Sequence, residues 1–368
     1  MDFSWTDPQR ELYERMARLG EPIMSLPPAD RLGKLAEHGV LGLSIDADHG
    51  GGGWDLVSTA YAYEGLGAVV SDGGALLAAG AHLFGVAMVI QAVGTPAQKE
   101  QWLPALAAGQ QVGTVAATES ASGSNMGAIA GVVEPAGEGL VARGDKCFVT
   151  NAPGADLFLF VGRHGSSGRG LTVALVPAAT PGVTVGKPLA TAGLKSARLA
   201  PVTFADCPVS AAAVLGKPGA GMAVFQIAMS FERALVLAFR LGAMQRALDE
   251  GVTFARGRTL DGTPIAKHDA VLHRLARMKL RLETARLIVY RAAWALQQNH
   301  RAHTAAALAK WHVADAAVES SLDALLLRGG AGYLEEAGLA GTVDDALGGA
   351  IHSGTQDVCA TIVGRSLT

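Results

Sequence analysis

The chain has 368 residues, with 30 Lys and Arg against 33 Asp and Glu and a formal net charge of −3. That balance offers no basic stripe for nucleic acid and no acidic tail, while 49% hydrophobic against 17% charged residues can bury a large core. Three widely spaced cysteines, Cys147, Cys207 and Cys359, exclude a disulfide scaffold and lack metal-ligand spacing, and 47 glycines without a Gly-X-Y period exclude collagen.

Residues 1–112 read as helices and are taken as the first domain. The start, Met1 to Asp7, is polar and acidic, so no secretory leader and a cytoplasmic location are expected. Thr6, Asp7 and Pro8 open a helix to Leu19, with Leu12, Met16 and Leu19 at helical spacing. Further helices are predicted over 28–37, 58–66 and 74–93, with one more, capped by Thr95-Pro96, running to Ala108. The stretch 74–94 has only His82 and Gln91 as strongly polar residues and is long enough to span a bilayer. Its glycines 80 and 85, the missing basic flank and the lack of a second span favour a buried helix, so no membrane is expected.

From 113 to 217 the period changes to two, which predicts a central β domain with strands at 139–150, 156–161, 171–176 and 201–204. From 218 to 368 helical runs return at 222–254, 268–298 and 304–327. In the second run, Leu272, Leu275, Met278, Leu282 and Leu287 are assigned to one side and Arg274, Arg277 and Arg281 to the other. Surfaces this apolar are expected to pack on other helices, within or between subunits.

Several segments invite chemistry. Residues 117–125 are small and hydroxyl-rich, which suits either a polar surface loop or backbone approach to a ligand. Phe148 is either a core residue or the cover of a flat heterocycle. Glu232 and Arg233 interrupt a run with few charges, as a seam ion pair or as a carboxylate whose pKa burial raises toward a working range. His352 reads as a structural hydrogen-bonder and Asp344-Asp345 as a solvated pair. His38, His49 and His82 have no partners at metal spacing, so no metal site is expected.

The order of these pieces resembles the acyl-CoA dehydrogenase family over essentially the whole chain. The carriers are T-E-x-x-x-G-S at 118–124, K-x-F-V-T-N at 146–151, Arg258 with Gly262-Thr-Pro-Ile-Ala, Arg328-Gly-Gly-Ala-Gly-Tyr333 and Ile351-His-Ser-Gly-Thr355. The resemblance implies an α+β fold: an N-terminal helical domain, a central antiparallel β domain and a C-terminal four-helix bundle. It implies FAD, with Ala117, Thr118, Gly123 and Ser124 at the isoalloxazine edge and pyrophosphate. Phe148 and Thr150 would flank the ring, with Gly329, Gly330 and Thr355 as further contacts. Arg258 would reach the FAD phosphates of a neighbouring subunit in a homodimer or homotetramer. An electron-transfer flavoprotein is the implied electron acceptor.

Departures from the family pattern shape the rest. Its most frequent base, the Glu of I-Y-E-G-T, is Ser353 here, and the usual Phe and two Gln near the shared FAD site are Asp261, Asp269 and Leu326. Isovaleryl-type members place their base at the position of Glu232, which becomes the expected base. Ser124, Arg233, Ser353 and Gly354 are the expected substrate contacts, the Ser353 N–H facing the thioester oxygen. The implied reaction converts an acyl-CoA or acyl-carrier-protein thioester to its enoyl form by α-proton abstraction and β-hydride transfer to flavin. Two alternatives keep the fold. A flavin monooxygenase fits the lost Glu at 353 but not the retained Glu232-Arg233. A catalytically inactive binding subunit fits Asp261, Asp269 and Leu326.

Overall fold

The computed structural model describes residues 4–137, 139–165, 170–299 and 302–368; the first three residues of the polar start lie outside it. Seven helices come first: α1 Asp7–Ala17, α2 Gly20–Met24, α3 Arg31–Glu37, α4 Leu56–Val69, α5 Gly73–His82, α6 Met88–Val93 and α7 Pro96–Ala107. Thr6 with Gln9, and Thr95 with Gln98, form reciprocal capping boxes ahead of a proline in the first turn, so α1 and α7 begin where the sequence predicts. A π-helical turn, Leu83–Ala87, fuses α5 to α6. Of the most apolar window in Gly73–Val93, 83% is buried; a second long apolar run, Gly221–Gly257, is 72% buried. Packing thus accounts for the apolarity of both.

The sheet follows: β1 Gly113–Ala116, β2 Val132–Ala136, β3 Gly139–Val149, β4 Leu157–His164, β5 Leu171–Pro177, β6 Val183–Val185, β7 Ala200–Val209 and β8 Val214–Leu215. Its order is β6-β7-β3-β2-β4-β5-β8, with β1 beside β4. Most neighbours are antiparallel, but β1 and β2 both run parallel to β4, so the sheet is mixed. β1 pairs with Leu157–Phe160 and β2 with Arg163–His164, so the two share one edge of β4 end to end. Residues 117–131 are the excursion between them. β4 is buried on both faces: Leu157, Leu159 and Val161 join the helical core, while Phe158 and Phe160 pack on Phe204. This two-sided burial explains its unbroken apolar run.

The C-terminal region holds α8 Gly221–Leu235, α9 Ala238–Gly257, the two-residue strands β9 Thr259–Leu260 and β10 Thr263–Pro264, α10 Asp269–Gln298, α11 His303–Leu327, α12 Leu339–Ile351 and α13 Gln356–Arg365. The buried stripe of α10 is Met278, Leu282, Ala285, Val289, Ala292 and Leu296. Leu272 and Leu287, assigned to that face by the sequence, are exposed. Each lies five or six residues from a stripe member, a rotation of roughly 120–140° away from it. Leu287 instead joins Leu280 and Trp294 in an exposed apolar row at seven-residue spacing. Arg274 and Arg281 pair with Asp323 of α11 at 3.3 and 2.6 Å rather than facing solvent alone.

Candidate active site

One wall of the site is built by the sheet. The loop after β1 is held by a buried ion pair, Lys146 Nζ to Glu119 Oε1 at 2.6 Å. Lys146 also donates to the Ala117 and Val161 carbonyls, and Glu119 accepts from the Ala130 and Gly131 amides at 2.6 and 2.9 Å. Both ends of the loop are thereby fastened to β3 and β4. Burial pushes the Glu119 carboxyl up, but Lys146 and the two amides outweigh it and hold the group below its ordinary value. Sequence reasoning missed this pair; its signal was the lysine of the K-x-F-V-T-N motif, in a strand whose other two charged residues are Arg143 and Asp145, set against the glutamate of the Thr-Glu motif. At the end of β3, Phe148 sits at φ +55 with 61% of its surface exposed, so it is no core residue. The Thr114 hydroxyl donates to the Thr150 carbonyl and ties β1 to that strand end.

The opposite wall is helical. Glu232 lies on α8 and is buried, with Phe231, Ala234 and Leu235 buried around it. Its Oε1 rests against Gly85 of the π turn, where a Cβ would fall only 2.4 Å away. π turns concentrate at functional sites, and this one brings a bare backbone to a carboxylate. The Ser353 hydroxyl donates to Glu232 Oε2 at 2.6 Å, from a residue 121 positions distant. Arg233 does not ion-pair with its neighbour: its Nε donates to the Ser353 carbonyl at 3.0 Å, and Lys310 of α11 donates to the Gly354 carbonyl at 3.2 Å. Burial raises the Glu232 pKa, and Ser353, Arg233 and Lys310 offset part of that rise. Among the described residues, the Ser353 N–H has no hydrogen-bond acceptor.

Between the walls lies a cavity of about 530 Å³. It brings together Ala117, Thr118, Gly123, Ser124, Phe148 and Thr150 from the sheet side with Glu232, Arg233, Ser353, Gly354 and Thr355 from the helical side. Thr355 also caps α13 through the Val358 amide. Arg258, Gly329 and Gly330 do not line it; all three are exposed on the C-terminal helical region. Asp345 is a tether rather than a solvated residue: it accepts from the Leu194 amide at 2.6 Å, which joins α12 to the cavity-lining segment at 191–194.

The chain is similar to known proteins along its full length. Residues 8–110, 114–207 and 219–368 match, in turn, the N-terminal, middle and C-terminal domains of acyl-CoA dehydrogenase. The L-prolyl-[peptidyl-carrier protein] dehydrogenase of Pseudomonas fluorescens is 36% identical over 378 residues, covering 100% of both chains. The crystal structure of the prolyl acyl carrier protein oxidase AnaB superposes with a TM-score of 0.95 at 32% identity, over 99% of this chain and 100% of that one. PigA with FAD and proline gives 0.94 at 29% identity, over 100% and 99%. The chain belongs to the acyl-CoA dehydrogenase family.

Proposed function

We propose that the protein is an FAD-dependent dehydrogenase of acyl thioesters and that its acyl group is an L-prolyl residue carried by a carrier protein. The observation that carries the reaction class is the Glu232 carboxylate, buried in the wall of an open cavity and, among the described residues, without a paired cation. The prolyl and carrier-protein parts are supported by the similarity to the Pseudomonas dehydrogenase, to AnaB and to PigA.

The residues present fit a flavin. Phe148 is a large apolar ring left largely exposed, held outward by a left-handed backbone, and the Thr118, Ser124 and Thr150 hydroxyls line the same cavity. Ala117, Thr118, Gly123, Ser124, Phe148, Thr150 and Thr355 would hold it. Bound FAD supplies the acceptor for the hydride that leaves the substrate's β-carbon. Glu232 takes the α-proton; burial brings its basicity nearer to the task. The unengaged Ser353 N–H receives the thioester oxygen as negative charge develops there. Arg233, on the Ser353 carbonyl, keeps that amide in place.

A second copy of the chain is part of this proposal. The exposed row Leu280, Leu287 and Trp294 gives α10 an apolar face, and Arg258 would reach a neighbour's FAD from outside its own cavity. A homodimer or homotetramer, an electron-transfer flavoprotein as acceptor and a cytoplasmic setting complete it; three free thiols suit a reducing compartment.

The test is anaerobic mixing of the flavin-loaded protein with a panel: L-prolyl-carrier protein, L-prolyl-CoA and straight-chain acyl-CoA thioesters. Flavin absorbance should bleach fastest with the prolyl carrier. Bleaching only by straight-chain acyl-CoA would overturn the substrate; a protein that cannot be reconstituted with FAD would overturn the function.

A further inference from the structure

The residue in place of the family's usual base has a use of its own. Ser353 sits at φ +55, a left-handed conformation that non-glycine residues seldom adopt, so the turn is held by its surroundings. Those surroundings are the Arg233 and Lys310 side chains on the carbonyls of Ser353 and Gly354. In this pose the Ser353 hydroxyl lies 2.6 Å from Glu232 Oε2 and 3.1 Å from His352 Nδ1. A hydroxyl has one hydrogen. Given to the carboxylate, it leaves the oxygen to accept from the imidazole, so Nδ1 must carry hydrogen. A neutral His352, which its burial favours, can supply that hydrogen.

We infer that Ser353 is a positioning residue for Glu232: its hydroxyl, oriented by His352, fixes one carboxylate oxygen and favours the ionised, proton-accepting form. This rests on the reading of Glu232 as base. Gly85 completes the clamp by leaving room for the other oxygen. The groups acting on Glu232 are Ser353 from the turn after α12, Arg233 from α8 and Lys310 from α11, with His352 behind the Ser353 hydroxyl. The π turn Leu83–Ala87 contributes no titratable side chain. With Ser353 changed, the two cations remain and the hydrogen bond alone is lost.

Ser353→Ala and Ser353→Gly test the inference together. Both delete the hydroxyl; alanine keeps the backbone strain and glycine relieves it, so a shared effect belongs to the hydroxyl. A hydrogen bond to a charged group corresponds to roughly one to two pH units in the partner's pKa. Two readouts should therefore move upward by that amount in both variants. One is the acid limb of the pH profile of flavin reduction by substrate. The other, in resting protein without substrate, is the infrared titration of the protonated-carboxyl band that Glu232→Gln removes. An unshifted limb and band in either folded variant, with Glu232→Gln inactive, would overturn the positioning role alone. If Glu232→Gln reduces its flavin at the parent rate, the base assignment fails and the inference falls with it.

Discussion

The two walls of the cavity solve different problems by different means. On the sheet side, one buried ion pair and four further hydrogen bonds to backbone groups fasten a loop whose ends arise within one edge of one sheet. On the helical side, the carboxylate meets its hydroxyl across 121 residues, and the turn bearing that hydroxyl hangs from side chains on two other helices. In the proposed mechanism the first wall can stay rigid while a flat ring lies on it. In that mechanism the second holds a carboxylate that changes charge during each turnover, and among the described residues Glu232 has no direct counter-ion. A salt bridge there would have kept Glu232 ionised and too weak a base; a lone buried carboxylate would stay protonated.

The sheet wall should break as a unit. Lys146→Met leaves Glu119 buried without its cation, and removing one partner of such a pair costs about 3–5 kcal/mol. Denaturant unfolding should show that loss, and flavin should dissociate more readily. Unchanged stability would mean that the loop is not held by the pair.

A smaller effect comes from beneath the same wall. His82, fully buried, accepts from the Gly113 amide at 3.0 Å and lies 3.1 Å from the Leu106 carbonyl, so it is neutral with hydrogen on Nε2. Burial lowers its pKa from 6.5 to about 4, the Leu106 contact opposing the shift. The unfolded chain therefore binds the proton first as pH falls. The histidine's contribution is intact above 6.5 and drains away between 6.5 and about 4. The full loss is roughly 3 kcal/mol. Unfolding free energies of the parent and of His82→Gln, measured at pH 7 and pH 4.5, should differ in slope; parallel pH dependence would contradict the neutral assignment.

The smallest effect sharpens the comparison by leaving both walls alone. Arg258 lies outside the cavity and exposed. Its change to alanine should weaken FAD retention by about tenfold, the size of one hydrogen bond to a charged group. Equilibrium dialysis at fixed protein concentration reads this. Unchanged affinity in a monomer would count against a shared site.

Much of this was legible in the sequence, and what was not has physical reasons. The capped helices, the long apolar core segments and strands β3 to β5 carry local signals: Thr-Pro starts, 3.6-residue stripes and period-two runs. β1 escaped notice because four residues carry too little period, and β2 because its pairing with β4 depends on a distant strand. Phe148 was ambiguous because φ +55, which turns it outward, follows from the end of β3 and not from its neighbours in sequence. Glu232 stood out as a charge in an apolar helix. Its partner Ser353 could be seen only as a missing Glu, since nothing local places a hydroxyl at 353 against a carboxylate at 232. Asp345 looked solvated for the same reason: its partner, the Leu194 amide, lies 151 residues away.

The central claim is that the helical wall carries the base and that Glu232 is that base. Rapid anaerobic mixing of Glu232→Gln with L-prolyl-carrier protein, followed by flavin absorbance, tests it most directly. The substitution is nearly isosteric, so folding and flavin content should match the parent. Flavin reduction should slow by about a hundred- to ten-thousandfold, roughly 3–5 kcal/mol of barrier, and adding Ser353→Glu to it should restore part of the rate. A single variant that reduces its flavin within about threefold of the parent rate would contradict the account.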